Sequence, residues 1–377
     1  MSQGKKIYVI AGEASGDLHA STLMQAMLDR DPDLDFRFWG GDKMATVHKE
    51  GLVKHIRDLA FMGFWEVITN IRTIMKNISF CKEDILDYQP DAILLVDYPG
   101  FNLRIAEWAH EKGIKVIYYI SPQVWAWKQK RVHKIKRVVD KMFVILPFEK
   151  DFYKQFDYDV SYVGHPLLDE ISKHGFSEDQ RKQFYEKHQL DARPIVAVLP
   201  GSRRQEVSKK LPIMLDALKT FTDYQVVIAG APSLDEEFYA PYNSDNVKMI
   251  SNETYHLLAS SKAAVVTSGT ATLETALFKI PEVVCYKSSR FSYEIAKRLV
   301  KVKYISLVNL IMDKEVVKEL IQDDCNPDSI RAELSRLLND EEYHAALMHN
   351  YDELETILGG GGASDKVAQS LLQELSN

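Results

Sequence analysis

Cysteine is scarce in this 377-residue chain. Cys81, Cys285 and Cys325 are odd in number and far apart, which offers neither a disulfide framework nor a zinc site and suits a reducing compartment. Positive charge is not in excess either. Lys and Arg number 47 against 54 Asp and Glu, a formal net charge of -7, whereas a dedicated nucleic-acid binder would carry a basic surplus. No apolar run approaches the roughly 20 residues of a membrane span. Residues 1–6 lead straight into a strand-like IYVIAG with no apolar h-region and no cleavage site, so no signal peptide is expected. Nor is there a repeat of fixed period, a long low-complexity tract or a GxGxxG fingerprint, since Gly12 and Gly16 do not complete one. These absences point to a cytoplasmic protein with no nucleic-acid partner.

What is present is an ordinary globular composition, 46% hydrophobic and 27% charged. The length exceeds a single core, so two domains are expected. Residues 7–11, 36–39, 92–96, 115–120 and 142–146 read as buried strands, as do 195–199, 225–229, 247–250, 263–266 and 283–286. Strands that alternate with helical patterns form parallel sheets, so the fold class is α/β with doubly wound domains. The expected divisions are 1–167, 168–345 and a helical tail, 346–377, that packs back on the first domain or on a partner subunit.

The second half carries two junctions of strand, glycine turn and helix start. One is Thr267-Ser268-Gly269-Thr270, followed by Leu273, Ala276 and Leu277 at helical spacing. A helix start leaves backbone N–H groups unpaired and attracts anions, phosphate above all. Glu274, about one turn further on, can reach a sugar hydroxyl. The other junction is Gly201-Ser202-Arg203-Arg204-Gln205-Glu206. Arg203 can give a diphosphate charge-assisted hydrogen bonds of roughly 1.5–3 kcal/mol each, against roughly 0.3–1 kcal/mol from a helix end. Gly201, Ser202, Arg203, Glu206, Ser268, Gly269, Thr270 and Glu274 are therefore candidate ligands of a nucleotide-sugar. An ordinary βα unit with a Thr cap would read the same locally.

In the first half, Glu13, Ser15, Asp17 and His19 cluster in a polar loop after the first strand. Turn and cap chemistry would also account for Ser15 and Asp17. Asp97 follows the strand 92–96, which Pro99 stops and Gly100 turns; it is a carboxylate at the sheet's carboxyl edge and the best general-base candidate, with a capping Asp as the other reading. Asn102 and Asn309 could contact substrate or cap. Phe61, Met62, Phe64 and Trp65 could touch lipid or simply form core. Trp125 and Trp127, beside a basic helix that begins at Lys128, could meet anionic lipid headgroups or a phosphorylated substrate, or the helix could be a solvated face. Asp157-Tyr158-Asp159 superficially matches the DxD signature of metal-dependent transfer, but it precedes a strand as a turn would and is discounted.

Two doubly wound domains with glycine phosphate turns suggest a GT-B type nucleotide-sugar enzyme. The motifs GEASGD from Gly12, DYPGFN from Asp97, SPQVWAW from Ser121, LPFE from Leu146, GHP from Gly164, GSRRQE from Gly201 and SGTATLE from Ser268 narrow this further. In this order they resemble those of lipid-A-disaccharide synthases, from about residue 7 to 325. Gly100 stands where many members carry a second acid, which leaves Asp97 alone. The resemblance implies a GT-B fold whose two Rossmann-like domains face a cleft, and an inverting transferase with no metal and no other cofactor. The donor would be the acylated UDP-sugar UDP-2,3-diacylglucosamine. The acceptor would be the acylated sugar 1-phosphate 2,3-diacylglucosamine 1-phosphate, and the product a β-1,6 disaccharide 1-phosphate. It also implies peripheral association with the inner membrane through the aromatic patches, and it leaves room for a homodimer. A UDP-N-acetylglucosamine 2-epimerase and a non-catalytic UDP-sugar sensor are the competing readings.

Overall fold

A computed structural model describes residues 4–59, 71–173, 176–244, 246–299 and 302–376. The chain forms two units, Met1–Asp169 with Gly360–Asn377, and Glu170–Gly359.

The first unit is built on seven parallel strands: β1 (Lys6–Ala11), β2 (Asp35–Gly40), β3 (Leu52–His55), β4 (Ala92–Val96), β5 (Lys115–Tyr119), β6 (Lys141–Val144) and β7 (Ser161–Tyr162). Their order in the sheet is β3-β2-β1-β4-β5-β6-β7. Side chains alternate along a strand, so β1 and β4 send Tyr8, Ile10, Ile93 and Leu95 to one face and Ile7, Val9, Leu94 and Val96 to the other. Both faces are covered by helices, which is why AILLV is apolar throughout rather than alternating.

The second unit repeats the wiring with β8 (Ile195–Leu199), β9 (Gln225–Gly230), β10 (Val247–Ser251), β11 (Ser261–Thr267), β12 (Glu282–Tyr286) and β13 (Lys318–Ile321). Their order is β10-β9-β8-β11-β12-β13, again parallel. In each sheet the order reverses beside the first strand, at β1/β4 and at β8/β11. A crevice opens at such a reversal, at the carboxyl ends of the strands.

The tail expected as one piece over 346–377 is divided. The helix Glu341–Ile357 lies in the second unit, where it buries Leu347, Tyr351 and Leu354. Lys279 pins it through ion pairs to Asp352 at 2.7 Å and Glu355 at 2.9 Å. Gly359, Gly360 and Gly362 then take positive φ of 82°, 69° and 85°, which turns the chain out of that helix. Only the helix Ala363–Ser376 returns to the first unit, packing on the helix Ala14–Leu28 and adding Val367, Ala368 and Leu371 to the core. Asp169 anchors its start by accepting hydrogen bonds from the backbone N–H of Gly362, Ala363 and Ser364. The boundary falls inside the helix Pro166–Lys173, two residues beyond the expected 167.

At the amino end of β12, Glu282 is wholly buried, and neither carboxylate oxygen has a hydrogen-bond partner among the described residues. Burial pushes its pKa well above the ordinary value, so folding takes up a proton there. Stability is therefore lost as pH climbs above the carboxyl's unfolded value of about 4.3. Glu282→Gln should raise the unfolding free energy from urea titration, by about 1–3 kcal/mol near pH 8 and by less near pH 5. Equal gains at the two pH values would disprove the buried titration.

Candidate active site

At the β1/β4 reversal, Asp97 and Tyr98 both sit in the left-handed region, with φ of 45° and 48°. Two successive non-glycine residues there cost about 1 kcal/mol or more each, and such strain persists only where surrounding bonds hold it. They do so here. The Asp97 N–H donates to the Tyr119 carbonyl at 3.1 Å, and the Asp97 carbonyl accepts from Tyr118 Oη at 2.5 Å and from Asn102 Nδ2 at 2.8 Å. The Tyr98 ring stacks on Phe101 at 5.7 Å and lies across Gly12. A Cβ at Gly12 would stand only 2.3 Å from that ring, so the GEASGD loop needs its first glycine to admit DYPGFN.

The Asp97 carboxyl is held half-buried at this edge. Burial, followed by the nearby Glu13 carboxylate, pushes its pKa up to about 7, against the opposing pull of the Tyr98 N–H. A base that titrates near the working pH is well matched to removing a proton. The structure thus brings Glu13 and Asp97 together. Ser15 is exposed on the first turn of the helix Ala14–Leu28.

Three polar residues expected to reach substrate do other work. Asp17 is buried and accepts from the N–H groups of Gly41 at 2.7 Å, Lys43 at 3.1 Å and Met44 at 3.1 Å, capping the helix Asp42–Val47. Asn102 is fully buried beneath the Asp97 turn, where Nδ2 also donates to the carbonyls of Ile10 and Val96. Asn309 is fully buried in the second unit, with Nδ2 donating to the Val317 carbonyl and to Glu319, and Oδ1 accepting from the N–H groups of Val316 and Val317. A short polar side chain serves the backbone as readily as a ligand.

Trp125 also differs from expectation. It is buried against Phe148, rings 5.0 Å apart and nearly perpendicular, rather than offered to lipid. Trp127 is 41% exposed, with Lys128 Nζ 4.1 Å and the Arg131 guanidinium 5.9 Å from its ring centre. Phe61, Met62, Phe64 and Trp65 lie outside the described residues.

At the β8/β11 reversal, a cleft of about 240 Å³ gathers Gly201, Ser202, Glu206, Ser268, Gly269, Thr270 and Glu274. Gly201 at φ 110° and Gly269 at φ 143° make the two turns, in conformations that side-chain-bearing residues rarely adopt. Ser268 uses its N–H on the Cys285 carbonyl at 3.1 Å and its hydroxyl on the Ile305 carbonyl at 2.7 Å. Glu274 stands one turn inside the helix Thr270–Leu277, and burial pushes its pKa up to about 7. Arg203 is mostly exposed at the mouth, 3.5 Å from Glu206. Sequence reasoning missed Lys210, which is 3% exposed and donates from Nζ to Thr267 Oγ1. The available signal was its place on the apolar stripe formed by Val207, Leu211 and Met214.

A model of the lipid-A-disaccharide synthetase family matches residues 7–369. The chain belongs to the lipid-A-disaccharide synthase family. The synthase of Trichlorobacter lovleyi is 40% identical over 376 residues, covering 98% of this chain and 97% of that protein. That of Syntrophus aciditrophicus is 40% identical over 372 residues, covering 97% and 96%. Among solved structures, the UDP-GlcNAc 2-epimerase of Neisseria meningitidis bound to UDP-GlcNAc superposes with a TM-score of 0.69 at 15% identity, covering 98% of this chain and 100% of that one. At that identity it shares only the GT-B type scaffold with the synthase family.

Asp97→Asn should lower turnover by about 10²–10⁴-fold with the fold intact. Wild-type kcat/KM should rise with pH through about 7 as Asp97 loses its proton. Glu13→Gln removes a like charge, so the rise should move to lower pH. A pH–rate profile unmoved by Glu13→Gln would show that the two carboxylates are not coupled.

Proposed function

We propose that this protein transfers the sugar of UDP-2,3-diacylglucosamine to the 6-hydroxyl of 2,3-diacylglucosamine 1-phosphate with inversion. The products are the β-1,6 disaccharide 1-phosphate and UDP. It is a UDP-sugar-dependent glycosyltransferase of lipid A biosynthesis. The observation that carries this is the family match across residues 7–369, which spans the Asp97 turn and both glycine turns.

The chemistry divides between the units. In the first, the Asp97 carboxylate accepts the proton of the acceptor 6-hydroxyl as that oxygen bonds to the anomeric carbon. In the second, the bond from the anomeric carbon to the diphosphate oxygen breaks, and UDP leaves with the electron pair. The turns at Gly201 and Gly269, with Arg203, supply N–H groups and positive charge to the departing diphosphate. Glu274 is placed for a ribose hydroxyl. We propose that these groups stabilise the leaving group without a metal ion.

Both substrates carry acyl chains, so the enzyme must meet a membrane surface. No described helix is long and apolar enough to cross one. We propose peripheral attachment at the inner membrane from the cytoplasmic side. Trp127 with Lys128 and Arg131 supports it, since an exposed indole among cations suits an anionic headgroup layer.

Thin-layer analysis of reactions with both defined acylated substrates should show disaccharide and equimolar UDP, unchanged by EDTA. UDP-N-acetylglucosamine alone should give no epimer, and epimer without disaccharide would overturn the assignment. Trp127→Ser combined with Arg131→Ser should move protein from the membrane pellet to the supernatant. Unchanged sedimentation would remove this patch as the anchor.

A further inference from the structure

The inner wall of the nucleotide cleft holds a pair of charges that the reading above does not use. Lys210 projects from the second turn of the helix Arg204–Leu218 into the protein and is almost wholly buried. Its Nζ donates to Thr267 Oγ1, and Thr267 lines the cleft. Its only ion-pair partner among the described residues is Glu206 Oε2, 3.9 Å away. Glu206 also lies 3.5 Å from Arg203.

The position of Glu206 is unusual for a site meant for an anion. A Cβ built on Gly201 would stand 3.0 Å from Glu206 Oε2 and 3.7 Å from Lys210 Nζ. The carboxylate is therefore folded back over the glycine turn, flanked by Arg203 outside and Lys210 inside. An acid against a diphosphate would repel it. The same acid against two cations, in the place where a phosphate is due, supplies the charge that a phosphate would bring. A lysine buried this deeply is costly unless an anion is close.

We propose that Lys210 is the buried counter-charge for the donor's diphosphate, and that the Glu206 carboxylate holds its place until the donor arrives. On binding, the diphosphate takes over Arg203 and Lys210, and Glu206 rotates towards solvent. No bond to carbon or phosphorus changes in this exchange. It would keep Lys210 paired in the empty protein and ready the positive field for the charge that develops on the leaving group. The proposal rests on the nucleotide-sugar assignment of this cleft.

The test is calorimetric titration of the full-length protein with UDP and, separately, with uridine, which lacks the phosphates. Lys210→Met should weaken UDP about tenfold or more, the scale of a charge-assisted contact, and leave uridine unchanged. Glu206→Gln should tighten UDP several-fold and leave uridine unchanged. Loss of UDP and uridine together in Lys210→Met would mean that the lysine merely supports the cleft, and would overturn the proposal. Unchanged UDP affinity in Lys210→Met, or weaker or unchanged UDP affinity in Glu206→Gln, would overturn it as well. If Lys210→Met does not fold, Glu206→Gln decides alone. A wild-type protein that binds neither compound would instead refute the nucleotide-sugar assignment.

Discussion

A parallel sheet delivers every strand-to-helix turn to one edge. In each unit of this protein the strand order also reverses beside the first strand, so two turns are left with no helix packed between them. All the chemistry argued above is attached to those four turns. The two in the first unit bring Glu13 to Asp97. The two in the second bring Gly201 and Glu206 to Gly269 and Glu274. No loop had to be long to do this, because the sheet wiring makes the positions equivalent.

The two units use this edge differently. The first has a strained turn carrying a carboxyl whose pKa lies near neutrality, with Asn102 and Tyr118 spending their hydrogen bonds on the Asp97 carbonyl. That arrangement fixes the backbone and leaves the acid to titrate. The second has relaxed glycine turns with N–H groups and cations near them, which suits a ligand that arrives charged. A proton acceptor and an anion holder need opposite electrostatics, and separate sheets allow each to be tuned alone.

Much of this was legible in the sequence. Asp97 could be placed because AILLV is apolar throughout and Pro99 ends it. The glycine turns could be placed because β-branched runs precede them and helical spacing follows. For Asp17, Asn102 and Asn309 the sequence left substrate contact and backbone capping open, because a polar side chain that binds backbone has the same composition as one that faces a ligand; the structure gives them backbone partners. The edge strands β3, LVKH, and β13, KELI, escaped notice because edge strands carry charge. Lys210 was missed because its partner Thr267 lies 57 positions away, and no local pattern records that meeting. The division of the tail at Gly359 was hidden for a similar reason, since both flanking helices are amphipathic and only tertiary packing assigns them.

The return of the helix Ala363–Ser376 has a consequence for how the protein is made. Val367, Ala368 and Leu371 belong to the same core layer as Ile7, Val9 and Ala20. A ribosome extends a chain by about 5–20 residues per second, so the strands made first wait tens of seconds for the helix made last. During that interval the whole second unit emerges and can close on itself, while the earlier one still shows an oily flank. The unit begun first waits for this helix, and exposed apolar surface of that kind favours association with neighbouring chains until the helix docks.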